Sequence, residues 1–530
     1  MSRDTRHEER VSRALSSAVS LHLEGKLAKA ADVLKRALEA GERDPALYAA
    51  LGRIQHELQD YEAAAASYTK LAELEPGHRT AYFNLGVCLG NLKEWKRAAE
   101  AFQQAGQKDP SRLEALLGLG VCLLHDERSE DALAALNRYL MKFPGHDQAL
   151  FGKAVALHQC GRYPEATEFY RRVLAKNPQS EEALSNLIAL SLATHDYEAA
   201  RKHAGALLEV RPESTAALEA LGTAAFADGD YLTAVQHSRS LAELVPERFE
   251  SWFNLGVAYH KLGNFPKAAE AYARAAKLNP DSCQTHLNLG VAYQETGDAA
   301  AARSSYERAL EIKPDEAGAL WNLGLILEQQ SEKSQAEDVY ARLPEDAPER
   351  PNASFRLGYL RLLRGDFRAA AEAFETCLKA RPDWPEACVN AGVAYARMGN
   401  AEAARERFER LLTVQPDSAD AVRGLAALAL ERQDFERAYE LHSKLIELGD
   451  HGPELFYNAG LICQKRGRMQ DAAALYQQAL KEDAQFPEAL LNLGHVLMSM
   501  GQEDEARSCW RKAVREKPDL ARTYFEPPRA

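Results

Sequence analysis

Eight asparagines, Asn84, Asn186, Asn254, Asn288, Asn322, Asn390, Asn458 and Asn492, stand apart by whole multiples of 34 residues. A primary amide both donates and accepts hydrogen bonds, so a column of them can hold the backbone of an extended chain whatever its side chains. The residue just before each place in the column is often bulky and apolar: Phe83, Leu117, Phe151, Phe253, Leu287, Trp321, Phe355, Tyr457 and Leu491, with Tyr359 one turn beyond Phe355. Rings rimmed by amides and mixed charge have the composition of a binding hot spot. This is the chemistry of recognition.

Residues for making and breaking bonds are harder to find. The sequence has no G-x-x-x-x-G-K-[ST], H-E-x-x-H or G-x-S-x-G motif. His56-Glu57 is followed by Leu-Gln-Asp, which lacks a second metal ligand, and the G-x-G of Gly118 and Gly120 falls within a helical pattern where small residues serve packing. His22, His56, His158 and His260 share one register position. Equivalent side chains of neighbouring repeats lie on the order of 10 Å apart, too far to share a metal ion, so these read as solvated residues. The eight cysteines form no C-x-x-C pair and are scattered, as small apolar side chains in a reducing cytoplasm would be. The expectation is no catalytic residue, no metal and no cofactor.

What positions the columns is a repeat. Prolines recur in steps of 34 residues from Pro76 to Pro416, and again in register at Pro518. Units of 34 counted from Val11 give fifteen repeats ending at Leu520, and the twentieth place is alanine in all fifteen, from Ala30 to Ala506. The eighth place is glycine in eleven, the exceptions being Ala18, Ala154, Ile188 and Ala426. Glycine weakens a helix locally, so a fixed column of it predicts a close approach, here of another backbone. Within a unit, Ser251 to Leu262 carries apolar residues at three- and four-residue spacing, Gly263-Asn264 interrupts it, and Phe265 to Leu278 resumes it until Pro280. Two amphipathic helices that cannot bury their stripes alone bury each other's when stacked, which makes an all-α solenoid.

Trp252, Leu255, Gly256, Tyr259, Ala268, Tyr272 and Pro280 meet the pattern W-x2-L-G-x2-Y, A-x3-F, P. The chain resembles the tetratricopeptide repeat family over residues 11–520. That resemblance implies a right-handed superhelix of helix pairs whose concave groove is lined by the first helix of each pair at places two, five, six, nine, twelve and thirteen. On it the asparagine column falls at place six and the apolar column at place five, both in the groove. The asparagine column is similar to the ladder in the repeat arm of O-linked N-acetylglucosamine transferases, here without a catalytic domain. The family's chaperone-tail clamp would need cations at places nine and thirteen, where this sequence has mostly valine and only isolated Lys261, Arg397 and Lys465. Trp321 is expected in the groove because Leu320 already fills the neighbouring core place, whereas Trp252 is expected in the core. The acidic column at place two (Glu114, Glu182, Glu250, Glu386, Asp420, Glu454 and Glu488) suits the positive end of a helix dipole and needs no ligand.

Departures from the pattern are Lys153 at place seven, Ile188, and Asp450 and Ala484 in place of proline. Leu343 to Asn352, with three prolines, should end the second helix of repeat ten early and is a place for the array to bend. The organisation is therefore a polar segment 1–10, repeats one to ten over 11–350, repeats eleven to fifteen over 351–520, and a tail 521–530 too short and proline-broken for a solvating helix, leaving self-association through an open last repeat as one expectation. A net charge of −13 argues against nucleic acid, and no apolar stretch is long enough for a membrane span or an export signal, so a cytoplasmic scaffold for extended protein segments leads. A substrate-recruiting arm for an enzyme on another chain is the alternative.

Overall fold

A computed structural model describes residues 3–521, with side chains from His7 onward. Among the described residues there are thirty α-helices and no strand. They alternate as first and second helices of fifteen pairs in the predicted register; repeat nine, for example, is Cys283–Glu295 and Ala299–Ile312. The helix ahead of Val11 runs back to Arg3, so the polar segment continues the first helix of repeat one. The chain forms two compact units, residues 1–264 and 265–530. Within each, every helix packs on the next and first helices pack on first helices of the following repeat, as Glu181–Ala193 does on Thr215–Ala227 in one unit and Pro385–Arg397 on Ala419–Glu431 in the other.

The alanine column explains how closely the pairs pack. From Ala30 to Ala506 every twentieth-place alanine is at most 1% exposed. A larger side chain there would have no room. The turn between paired helices is equally uniform. The fifteenth place of each repeat has positive φ, between 56° and 85°, filled by glycine in nine repeats and by Gln59, Lys93, Glu127, His195, Ser331 and Gln433 in six. That left-handed residue ends the first helix. The next residue then caps the second: Asp60, Asp196, Asp230, Asp298, Asp366, Asn400 and Asp434 each accept a hydrogen bond from the backbone N–H three residues on. Between repeats, Arg172, Arg342 and Lys444 donate to the carbonyls of Pro144, Pro314 and Pro416, 28 residues earlier, at 2.8–3.1 Å. The periodic proline thus ends a helix and offers the next repeat an acceptor.

The eighth place does face a close approach, but of a ring and not of a backbone. A Cβ added to Gly290 would lie 2.5 Å from the Tyr306 ring, one on Gly358 2.8 Å from Phe374, and one on Gly392 2.6 Å from Phe408. In each case the ring comes from place twenty-four of the same repeat. The sequence expectation of a passing backbone is corrected accordingly: the glycine makes room for an aromatic side chain carried by the paired helix.

Repeat six departs from this with both residues exchanged. Ile188 fills the glycine place and Ala204 the ring place, and both are buried in one cluster. The other departures are also accommodated. The Lys153 ammonium sits 4.0 Å from the Phe169 ring centroid, and Asp450 pairs with Arg423 at 3.0 Å. The second helix of repeat ten ends at Ala341 after nine residues, as the prolines predict, and the next first helix starts at Arg350. All eight cysteines are free. The expected open last repeat depends on residues 522–530, which lie outside the described residues.

Candidate functional site: the first-helix face

The place-five rings are half-buried, and five of them lean on the place-twenty-four ring of their own repeat. Phe83 meets Phe102 edge-on at 5.6 Å, Phe151 meets Tyr170 at 5.9 Å, and Trp321 lies 5.8 Å from Tyr340. Phe355 touches Phe374 at 5.8 Å and stacks on Trp384 at 4.7 Å, and Tyr457 lies between Tyr476 and Phe486. Phe253 stacks on Phe249 at 5.7 Å. Trp321 is therefore shared between core and surface, with one side against a buried cluster. Tyr359 is the most open of the set, at 43% exposed. Trp252 is also half-buried, its indole N–H donating to the Pro246 carbonyl at 2.9 Å.

The amides have a partner that the sequence reading missed. Asn84 stands at the hydroxyl of Tyr68, Asn288 at that of Tyr272 and Asn322 at that of Tyr306, in each case the ring-place tyrosine of the preceding repeat. Burial drives the Tyr68 hydroxyl up to about 12 and raises Tyr272 and Tyr306 further, while the amides pull the other way. Asn492 donates to the Tyr457 hydroxyl at 3.0 Å, and Asn186 to the Glu182 carbonyl at 2.8 Å. Asn390 and Asn458 are half-buried on the same face, and Asn254 is exposed. The signal was in the sequence as a pairing. Tyr68, Tyr170, Tyr272, Tyr306 and Tyr476 are each followed sixteen residues later by asparagine, whereas Phe102 and Phe408 are followed by Gly118 and Gly424. The pairing is partial, since Phe374 is also followed by an asparagine, Asn390, Tyr340 is followed by Arg356, and the Tyr170 hydroxyl has no hydrogen-bond partner; at Gly118 the small residue is required, because a Cβ there would lie 2.7 Å from the Phe102 ring.

In the first unit a concavity of about 640 Å3 opens over repeats one to three, lined by Leu15, Val19, His22, Arg53, Asn84 and Arg112 among others. Arg112 also lies over the Phe83 ring at 4.9 Å. This hollow joins a predicted amide to apolar residues and two guanidinium groups. The short side chains Ala49 and Ala50 at places five and six of repeat two leave the space.

The histidine column is less solvated than its pattern suggested. His22 pairs with Glu57 at 2.6 Å, His56 packs on Tyr61 at 5.4 Å, and His158 lies edge-on to Tyr163 and Tyr170, where burial lowers its pKa. Aromatic neighbours explain the correction. The acidic column pairs locally, Glu488 with Lys517 at 2.7 Å and Asp420 with Arg423 at 2.8 Å. Among the described residues no three His, Cys, Asp or Glu side chains are grouped to hold a metal, and no helix is long and apolar enough to cross a membrane.

Three family models, each described as tetratricopeptide repeat, match the chain: one at residues 249–282, one at 157–224, 361–428 and 464–523, and one at five stretches between 24 and 354. No curated protein matches. Solved structures similar to it include MamA, 23% identical over 31% of this chain and 97% of that one, with a TM-score of 0.30. YrrB, a TPR protein with an unusual peptide-binding site, is 22% identical over 36% of this chain and 98% of that one, with a TM-score of 0.32. The APC/C hetero-tetramer Cut9-Hcn1 is 14% identical over 84% and 95%, with a TM-score of 0.31. Likenesses this loose say nothing about ligands. The family models are of another order, because together they cover most of the residues from 24 to 523 in the register of the helix pairs, and the chain belongs to the tetratricopeptide repeat family.

Proposed function

We propose that this chain is a protein-interaction scaffold that holds extended segments of partner proteins against its first helices. The observation that carries the reading is the side-by-side placement of half-buried rings and amides on that face, with Trp321 beside Asn322 and Phe83 beside Asn84. Half-buried rings offer apolar area already ordered by core contacts, so little conformational entropy is lost when a ligand covers them. The amides that meet a tyrosine hydroxyl, Asn84, Asn288, Asn322 and Asn492, keep further hydrogen-bonding capacity. Asn84, Asn186, Asn254, Asn288, Asn322, Asn390, Asn458 and Asn492, with Phe83, Phe151, Phe253, Trp321, Phe355, Tyr359 and Tyr457, make up the proposed contact set. The matched families are repeat families, and the reading assigns the chain no catalysis of its own. The net charge of −13 favours protein over nucleic-acid partners.

The test is capture of partners from native lysate by the intact chain, followed by titration of overlapping peptides from whatever is captured. The triple variant Trp321→Ala, Asn288→Ala, Asn322→Ala should bind the active peptide at least tenfold more weakly at unchanged helicity. Undiminished affinity would place binding elsewhere on the array.

A further inference from the structure

Repeat seven breaks the rule that governs its neighbours. Its eighth place keeps the glycine, Gly222, but its ring place holds Ser238. Repeat six, which also lacks a ring, refills the space with Ile188; repeat seven does not. What remains is a cavity of about 190 Å3 between the paired helices Thr215–Ala227 and Tyr231–Leu244 and the next first helix, Phe249–Lys261. A cavity on the order of 150 Å3 is enough to take up benzene. This one opens to solvent, since Thr223 and Asn254 at its rim are exposed and Ser238 is half-exposed.

Its polar atoms are placed where a phenol would use them. In three repeats the asparagine at place six meets the hydroxyl of the preceding repeat's ring-place tyrosine, Asn84 with Tyr68, Asn288 with Tyr272 and Asn322 with Tyr306. Asn254 holds the same place after a repeat whose ring place is Ser238, and it lines the cavity. Ser251 adds a second, independent mark. The third place of the next repeat is alanine in most units, but here it is a serine that is 1% exposed, lines the cavity and has no hydrogen-bond partner for its hydroxyl. An unpaired buried hydroxyl costs roughly 1–3 kcal/mol, which a partner entering the cavity would recover. The apolar walls come from Gly222, Phe226, Leu241 and Ala258.

From these observations we infer that the cavity of repeat seven is a receptor for a tyrosine side chain of a bound protein segment, the guest ring standing where the other repeats carry their own and its hydroxyl meeting Asn254. This rests on the scaffold reading for the source of the tyrosine, but not for the existence of the socket. At the mouth, Arg248 and Glu219 pair through two hydrogen bonds of 2.9 and 3.1 Å, so the rim presents a neutralised ion pair and does not repel an uncharged phenol.

The test uses 4-methylphenol, the tyrosine side chain alone, with toluene as its counterpart lacking the hydroxyl, titrated into the full chain and followed by NMR of the ligand methyl group. Saturable binding of 4-methylphenol is expected, several-fold tighter than toluene. Ser238→Tyr supplies the missing ring from within and should weaken 4-methylphenol at least tenfold while raising the melting temperature. Asn254→Ala, an exposed position, should bring 4-methylphenol down to the level of toluene without touching stability. Absence of saturable binding, or binding undiminished in Ser238→Tyr, overturns the proposal. Failure of the scaffold reading appears separately, as peptide affinity unaffected by the Trp321 and Asn322 substitutions.

Discussion

Repeats nine and seven have nearly the same helix lengths and the same turn geometry, yet one is filled and the other is hollow. In repeat nine Tyr306 is fully buried against Gly290, and its hydroxyl donates to Gln294 at 3.0 Å with Asn322 beside it. In repeat seven Gly222 faces no ring; the nearest atom to where a Cβ would stand is the Ser238 hydroxyl at 3.3 Å, with His237 Cβ at 3.7 Å. Both are held by the same alanine column and the same aspartate cap, Asp298 in one and Asp230 in the other. The frame of this array therefore does not depend on the ring. The ring is cargo the frame can carry or leave out, and leaving it out creates a site without reshaping the backbone.

The sharpest way to break that comparison is to remove a ring where one exists. Phe374→Ala, at a side chain with no exposure, is expected to cost about 3–5 kcal/mol, whereas Ser238→Ala should cost under about 0.5 kcal/mol. Because neighbouring repeats unfold semi-independently, hydrogen exchange of the affected helix pair is the proper measure. Equal losses at the two sites would refute the distinction. Next in size is the exchanged pair of repeat six. Ile188→Ala should cost about 2–4 kcal/mol, and adding Ala204→Leu should restore part of it, a coupling that a double-mutant cycle reads directly. Strict additivity would mean the two residues do not share one volume.

A smaller effect tests the glycines. Gly290→Ala drives a Cβ against the Tyr306 ring and should lose about 1–3 kcal/mol, although alanine is the better helix former. Gly222→Ala meets the Ser238 hydroxyl at 3.3 Å and otherwise ordinary contacts, and should be neutral or stabilising, by up to about 1 kcal/mol. Opposite signs for one substitution at equivalent places would be hard to explain by propensity alone. The same result would bear on the socket, since the added methyl group narrows its wall.

Helix positions and register were legible in the sequence because the alanine column recurs in all fifteen repeats, with the glycine and proline columns in step with it in most. Phe265–Leu278 was read to the residue. What the eighth-place glycine accommodates was not legible, because periodicity gives the place of a small residue and not the identity of what fills the space. The asparagines hid a second relation for a similar reason. Read down one column they look like a ladder for a ligand, but the informative comparison runs sixteen residues back, where Tyr68, Tyr272 and Tyr306 provide their hydroxyls. Ser238 drew no notice in the sequence, because its meaning depends on Gly222 opposite it remaining a glycine.

The other ring place held by a polar residue is His442, and it sharpens the comparison through pH. His442 is 4% exposed, its Nδ1 lies 2.7 Å from the Ala438 carbonyl, and burial lowers its pKa. The cavity beside it is lined by Arg423 and Asp450, which pair with each other. A folded-state pKa below the unfolded value of about 6.5 means that the unfolded chain binds the proton more readily. Stability from this residue is thus whole above that pH and is lost as pH falls below it. His442→Leu copies repeat one, where Leu34 stands at the ring place and Ala18 at the eighth, as Ala426 does here. The variant should flatten the decline in melting temperature between pH 7 and pH 5 while leaving the value at pH 7 little changed. If the decline persists in full, the buried imidazole is not what titrates, and the other histidines whose pKa burial lowers, His158, His203, His237 and His495, carry it instead.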